Sequence, residues 1–271
     1  MSAGTADLLL EESSDVAVGD IAARSPFQLF WRRLRKDKVA LTALAIVGLM
    51  VIIAIFAPLI VKALGLPKPN IQNDDLLGDF GEPTGPSSAH LFGVDERGRD
   101  VLSRVLYGAR VSLEVAFIAT ALTLIIGVTV GMTAGYFRGK LDTIISRVMD
   151  LFLAFPVLVL AVGLGVACAD GCGPIQPGLP VVIFVITLTG WTYIARIVRG
   201  QVLSLREREF VEAARSLGAS NRRIIFRELL PNLVAPIIVY GTILVPQNIL
   251  YEAALSFLGV GVPPTNPVGA R

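Results

Sequence analysis

The sequence predicts an all-α, polytopic membrane protein. Hydrophobic residues make up 54% of the chain and charged ones only 17%, a balance unsuited to a soluble domain of this length. Five uncharged runs approach or exceed the ~20 residues that cross a hydrocarbon core as a helix. Lysine and arginine gather in alternate links between those runs.

In chain order, residues 1–38 begin polar and acidic and end in the basic cluster Arg32, Arg33, Arg35, Lys36 and Lys38. No cleavable signal is visible there, so the segment reads as a cytoplasmic tail. The first run follows at 39–61, the second at 115–137, the third at 151–169, the fourth at 171–195 and the fifth at 229–251. Pro156 is expected to kink the third. Placing the N-terminus inside puts the tail cluster, the Arg138/Lys140/Arg147 link and the Arg196 to Arg227 loop on one side, as the positive-inside rule requires. Segment 62–110 then faces outward, first as a Pro/Gly/Asn/Asp-rich loop and then, from Gly98, as a helix along the extracytoplasmic face with Val101, Leu102, Val105 and Leu106 in one stripe. Such a helix reads either as a brace that starts the second span or as a surface where something docks or a pore is closed, and composition does not separate the two. Residues 111–271 form the remaining core. Cys168 and Cys172, the only two cysteines, fall in an outward link; they read either as a small disulfide or as two small residues at a helix end.

The most strongly charged stretch, from Leu203 to Pro231 inside the loop 196–230, is the candidate site. As a helix it places Phe210, Ala213, Ala214 and Leu217 at i, i+3, i+4 and i+7, with Glu212 and Arg215 on other faces. Gly218 should end that helix, and Ser220, after Ala219, can cap a second short one leading to Pro231. The product is a helix-turn-helix knob between two spans. Near the third span, Arg147 and Asp150 are spaced for a salt bridge. His90 reads as a polar loop residue.

Several chemistries lack their residues. The nearest approach to a phosphate-binding loop, Ala134 to Leu141, misses the first glycine and the final hydroxyl. No catalytic triad, zinc motif or intramembrane aspartate pair is present, so the chain reads as a non-enzyme that binds no cofactor or metal of its own.

Glu212-Ala213-Ala214, then Gly218, then Leu230-Pro231 resembles the EAA loop of permease subunits in bacterial ABC importers. Gly93, Asp95, Gly98, Arg99, Asp100, Ser103, Arg104, Tyr107 and Gly108 resemble the signature of the dipeptide/oligopeptide/nickel group. The long N-terminal tail and Ser256-Phe257-Leu258-Gly259 are similar to the C-type partner of its permease pair. The resemblance covers residues 26–264. It implies an ABC type I importer transmembrane fold in the bacterial cytoplasmic membrane. It also implies a second permease subunit, two ATP-binding subunits that carry ATP-Mg, and an extracytoplasmic substrate-binding protein. Peptides are the expected cargo and nickel the alternative. The family has one more membrane helix than the about five spans read here, so the usual last helix is expected to be missing.

Other readings of the knob are weaker. Residues 214–220 resemble the turn of a DNA-reading motif, but tethers to two spans would press DNA against the bilayer, so nucleic acid is not an expected partner. Binding of anionic lipid by a basic loop accounts for the charge and leaves the small-residue stripe unexplained. A partial repeat of the pattern, Glu252-Ala253-Ala254 with Gly259, falls on the outer side and reads as lining the outer mouth.

Overall fold

The computed structural model describes Trp31, residues 34–78 and residues 81–260. The first 30 residues, Arg32, Arg33 and the Gly261 to Arg271 segment, with the helix break expected at Pro263 and Pro264, lie outside the described residues. Those described are mostly helical, apart from a long irregular segment between Ala63 and Val101 and shorter links, with isolated β-bridges only. They fall into two units divided between Ile52 and Ile53, inside the first helix.

That helix, α1 (Lys38–Ala63), starts at Asp37, whose carboxylate accepts the Ala40 amide at 3.0 Å. Leu44, Ile46, Val47, Leu49 and Met50 stay exposed. Such a face is stable only in lipid or against a partner.

The second unit is built on α2 (Val101–Phe137) and α5 (Leu179–Leu205). At 37 residues α2 is roughly 55 Å long, well beyond a ~30 Å hydrocarbon core. The stretch expected along the membrane face is, from Val101, continuous with the helix of the second span. The two helices run parallel, and Gly127, Gly131 and Gly135 let them touch backbone to backbone. A Cβ at these positions would come within 2.7 Å of Ile194 Cβ, 2.5 Å of the Ala195 carbonyl oxygen and 2.9 Å of the Arg199 carbonyl oxygen. Small residues four apart give this close approach where the hydrophobic effect offers little between helices.

The third run is broken. Helices α3 (Gly139–Leu153) and α4 (Val157–Ala167) meet at 87° across Pro156. Proline removes a backbone donor and drives the residue before it out of helical geometry, so the expected kink is a full turn. Cys168 and Cys172 close the next link as a disulfide. Helix α6 (Glu209–Ser216) is the knob's first helix. One α-turn, Asn221–Arg223, and a π-helical segment, Ile224–Leu229, then run straight into α7 (Leu230–Phe257). Among the described residues, four helical stretches are long and apolar enough to span a bilayer, and α3 with α4 makes a fifth if the bent pair counts as one span.

Two buried clusters sit at opposite ends of this unit. One joins Val111, Val115 and Ala119 to Val181–Ile186 and Leu255. The other joins Met132 and Tyr136 to Val198, Val202, Val211, Ile224, Leu229 and Leu233, and carries the knob. Replacing Gly131 by Val should lower stability by about 1–3 kcal/mol through overpacking, seen as a lower melting temperature in detergent. Gly200→Ala, where a Cβ meets nothing within 4 Å, should not.

Candidate functional site

Glu209 and Glu212 lie in the first turn of α6 and Arg215 in its last, each sign matched to the helix dipole. The Gly218 amide bonds the Arg215 carbonyl at 2.9 Å and the Ala219 amide the Ala214 carbonyl at 3.0 Å, with Gly218 at φ +77°. This is a Schellman termination, and it places the glycine where the spacing predicted. Ser220 then caps the next turn by accepting the Arg223 amide.

The predicted stripe divides between two faces. Ala214 packs inward on the second cluster, and the residue that anchors α6 is Val211, fully buried. Phe210, Ala213 and Leu217 face out, Leu217 with 88% of its surface exposed, alongside exposed Glu212 and Arg215. Ala219 is half-buried against the core and Pro231 is exposed at the start of α7. Val211 went unnoticed because its neighbours make the more regular helical pattern.

Polar ties lock the knob to the spans beside it. The Tyr136 hydroxyl donates to Asn221 at 2.7 Å. Arg206 donates to the Tyr136 carbonyl, and the guanidinium groups of Arg206 and Arg215 each lie 5.8 Å from the Tyr136 ring centre. Arg138 pairs with Glu207. Arg199 donates to Asp142 on α3 at 2.8 Å, and Arg196 pairs with Asp150. The expected Arg147–Asp150 bridge is present only at 4.0 Å, since Asp150 has a nearer cation in Arg196.

At the far end of α2, the segment 90–104 is a tight knot. Asp100 caps α2, accepting the Ser103 amide at 2.7 Å, and meets His90 Nδ1 at 2.9 Å. Asp95 receives the Arg97 and Arg99 amides, the Arg99 side chain and Arg104. Gly93 and Gly98 have positive φ, and a Cβ on Gly98 would collide with the Asn73 carbonyl. Tyr107 is half-buried and Gly108 exposed, both outside the knot. Burial pushes the Asp95 carboxyl up, but the Arg99 side chain, the Arg97 and Arg99 amides and the Arg99 charge together hold it at about 2.

A second polar seam was not anticipated as a contact. Glu252, 7% exposed, accepts the hydroxyls of Ser112 on α2 at 2.7 Å and Ser256 at 2.8 Å. One turn back, buried Asn248 donates to Thr120 on α2 at 2.9 Å. These bonds join α7 to α2 antiparallel. Ionisable and amide groups inside an apolar helix carry that signal in the sequence itself. Among the described residues no group of three or more His, Cys, Asp or Glu could hold a metal.

The family model for binding-protein-dependent transport system inner membrane components matches residues 127–271. The chain belongs to this family. A second model, the N-terminal transmembrane domain of oligopeptide transport permease C, matches residues 25–78 of this permease. The permease is 39% identical over 251 residues to the dipeptide transport system permease protein of Alkalihalophilus pseudofirmus, covering 93% of this chain and 77% of that one. It is 39% identical to the oligopeptide transport system permease protein of Bacillus subtilis, with 85% and 70% covered. It is 37% identical to the glutathione transport system permease protein of Pectobacterium atrosepticum, with 92% and 78% covered. An inward-facing crystal structure of the MetNI methionine ABC transporter shares its fold, with a TM-score of 0.51 at 24% identity over 56% of this chain and 73% of that one.

Because the Asp95 carboxyl is lowered on folding, its contribution to the knot is complete above the ordinary carboxylate range near pH 4 and is lost as pH falls through about 2. Asp95→Asn should bring the acid behaviour to neutral pH. Faster amide exchange in residues 93–104 of the variant at pH 7, and in the wild type only near pH 2, is the expected result.

Proposed function

We propose that this permease imports peptides across the bacterial cytoplasmic membrane, with its N-terminus inside. It pairs with a second, homologous permease to form the pore. Two ATP-binding subunits hold ATP and Mg²⁺, and an extracytoplasmic binding protein delivers cargo. The chain itself performs no hydrolysis. Its knob is the ATPase contact, and the observation that carries this role is the outward row Phe210, Ala213 and Leu217 on a helix whose other side is fastened through Val211.

An exposed apolar row with small alanine between larger neighbours suits insertion into a groove on another protein. Glu212 and Arg215 flank it and supply polar contacts, while Gly218 sets the turn and Ser220 the next helix. Closure of the ATPases would draw the knob toward the partner permease. Tyr136, Asn221 and the Arg138–Glu207 pair pass that motion to α2 and α5, and the unbroken helical path from Asn221 passes it to α7. The spans rock between inward-open and outward-open states. On the outer side, the knot around Gly93, Asp95, Gly98, Arg99, Asp100, Ser103 and Arg104 fixes the start of α2 where the binding protein arrives.

The cargo rests on the relatives, whose names specify dipeptides, oligopeptides and glutathione. In a strain lacking this gene, restored uptake of labelled dipeptide supports the reading, and restored nickel uptake alone would replace it. Gly218→Val meets no steric neighbour but must hold a β-branched residue at positive φ, at about 1–2 kcal/mol. Transport by the assembled complex should fall roughly tenfold while ATP hydrolysis continues; unchanged transport would refute the knob's role.

A further inference from the structure

We infer that the lead-in to the last span binds the phosphate headgroup of an anionic phospholipid from the leaflet on the knob's side. A cavity of about 410 Å³ there is lined by Ser220, Arg222, Arg223, Phe226 and Arg227. The inference rests on the cytoplasmic placement of the knob and assigns a ligand to three arginines that the proposed ATPase contact does not use.

Three features point to this ligand. The first is uncompensated charge. Arg138, Arg147, Arg196 and Arg199 each pair with a carboxylate, whereas Arg222, Arg223 and Arg227 form no ion pair among the described residues. Glu228 beside them makes none either. Guanidinium forks match phosphate oxygens bidentately.

The second feature is register. In an α-helix, residues five apart lie about 140° away from one another. The π-helical segment, whose i→i+5 bond runs from the Leu230 amide to the Ile225 carbonyl, brings Arg227 round to the side of Arg222. Local π geometry has a cost and recurs at functional sites.

The third is amphiphilicity and depth. Phe226 is 58% exposed within the same cavity, and the arginine stems add apolar surface around it. The segment opens the 37-residue apolar stretch Asn221–Phe257, which sets it at headgroup level. A free phosphate would leave the ring and stems in water, while a phospholipid covers both.

The test uses the assembled complex in nanodiscs of mixed phosphatidylglycerol and phosphatidylcholine, with retained lipid counted by native mass spectrometry. Arg227→Gln should lose phosphatidylglycerol affinity roughly fivefold, and Arg222→Gln with Arg223→Gln and Arg227→Gln about a hundredfold. Lys140→Gln, an exposed charge elsewhere on that side, should change nothing. Equal retention by wild type and variants would overturn the proposal, as would an equal loss in Lys140→Gln. Displacement of the lipid by excess inorganic phosphate would reassign the cavity to a soluble anion. Departure of the ATPases with lipid retained would give the arginines to the protein contact. Failure of the coupling role alone would appear as normal transport in Gly218→Val with lipid binding intact.

Discussion

Two spans of the second unit pack closely where there is no side chain to obstruct them. Along Gly127, Gly131 and Gly135, α2 lies directly on the backbone of α5 from Trp191 to Val202. Dispersion acts over the shortest range, so three glycines one turn apart provide more fixed contact than larger residues held further off. The parallel pair is the frame on which the other elements of the second unit are mounted. At one end it grips the link closed by the Cys168–Cys172 disulfide, and at the other it carries the cluster around Val202 and Val211.

The elements are attached to that frame in different ways. The knob is held by a buried valine, the Tyr136 hydroxyl and the Arg138–Glu207 pair, which tie it to α2 and α5. Helix α7 is exposed along much of its length and meets α2 both through the polar pairs of Asn248 and Glu252 and through apolar contacts, with Leu255 in one buried cluster and Leu233 and Leu244 in the other. Hydrogen bonds between membrane helices are individually modest. The polar pairs set the register of α7 on α2, and the apolar contacts hold it there.

Much of this was readable from residue spacing. The turn at Gly218 and the cap at Ser220 are local properties, set by positive φ and a hydroxyl, and each stands where the pattern put it; the apolar runs locate the spans but not their ends, the fourth run, 171–195, being a helix over Leu179–Leu205. The rest depends on contacts distant in sequence. Val211 is buried because Ile224 and Leu229 fold back over it, which no periodicity in residues 209–217 reveals. Pro156 signalled a bend, but its size depends on α4 packing along α5, so one apolar run became two helices at 87°. The glycine spacing at 127, 131 and 135 was available in the sequence and passed over, and Glu252 was weighed only as part of a repeated motif.

The central claim is that an ATPase seats on the outward row of α6. Leu217, exposed and clear of every buried contact, reports on it directly when replaced by cysteine. In intact cells the thiol should resist membrane-impermeant maleimide added outside. In inverted vesicles it should react, and co-assembled ATPase should protect it and be captured by a short bifunctional cross-linker. Labelling from outside the cell, or full reactivity in the assembled complex, would contradict the account.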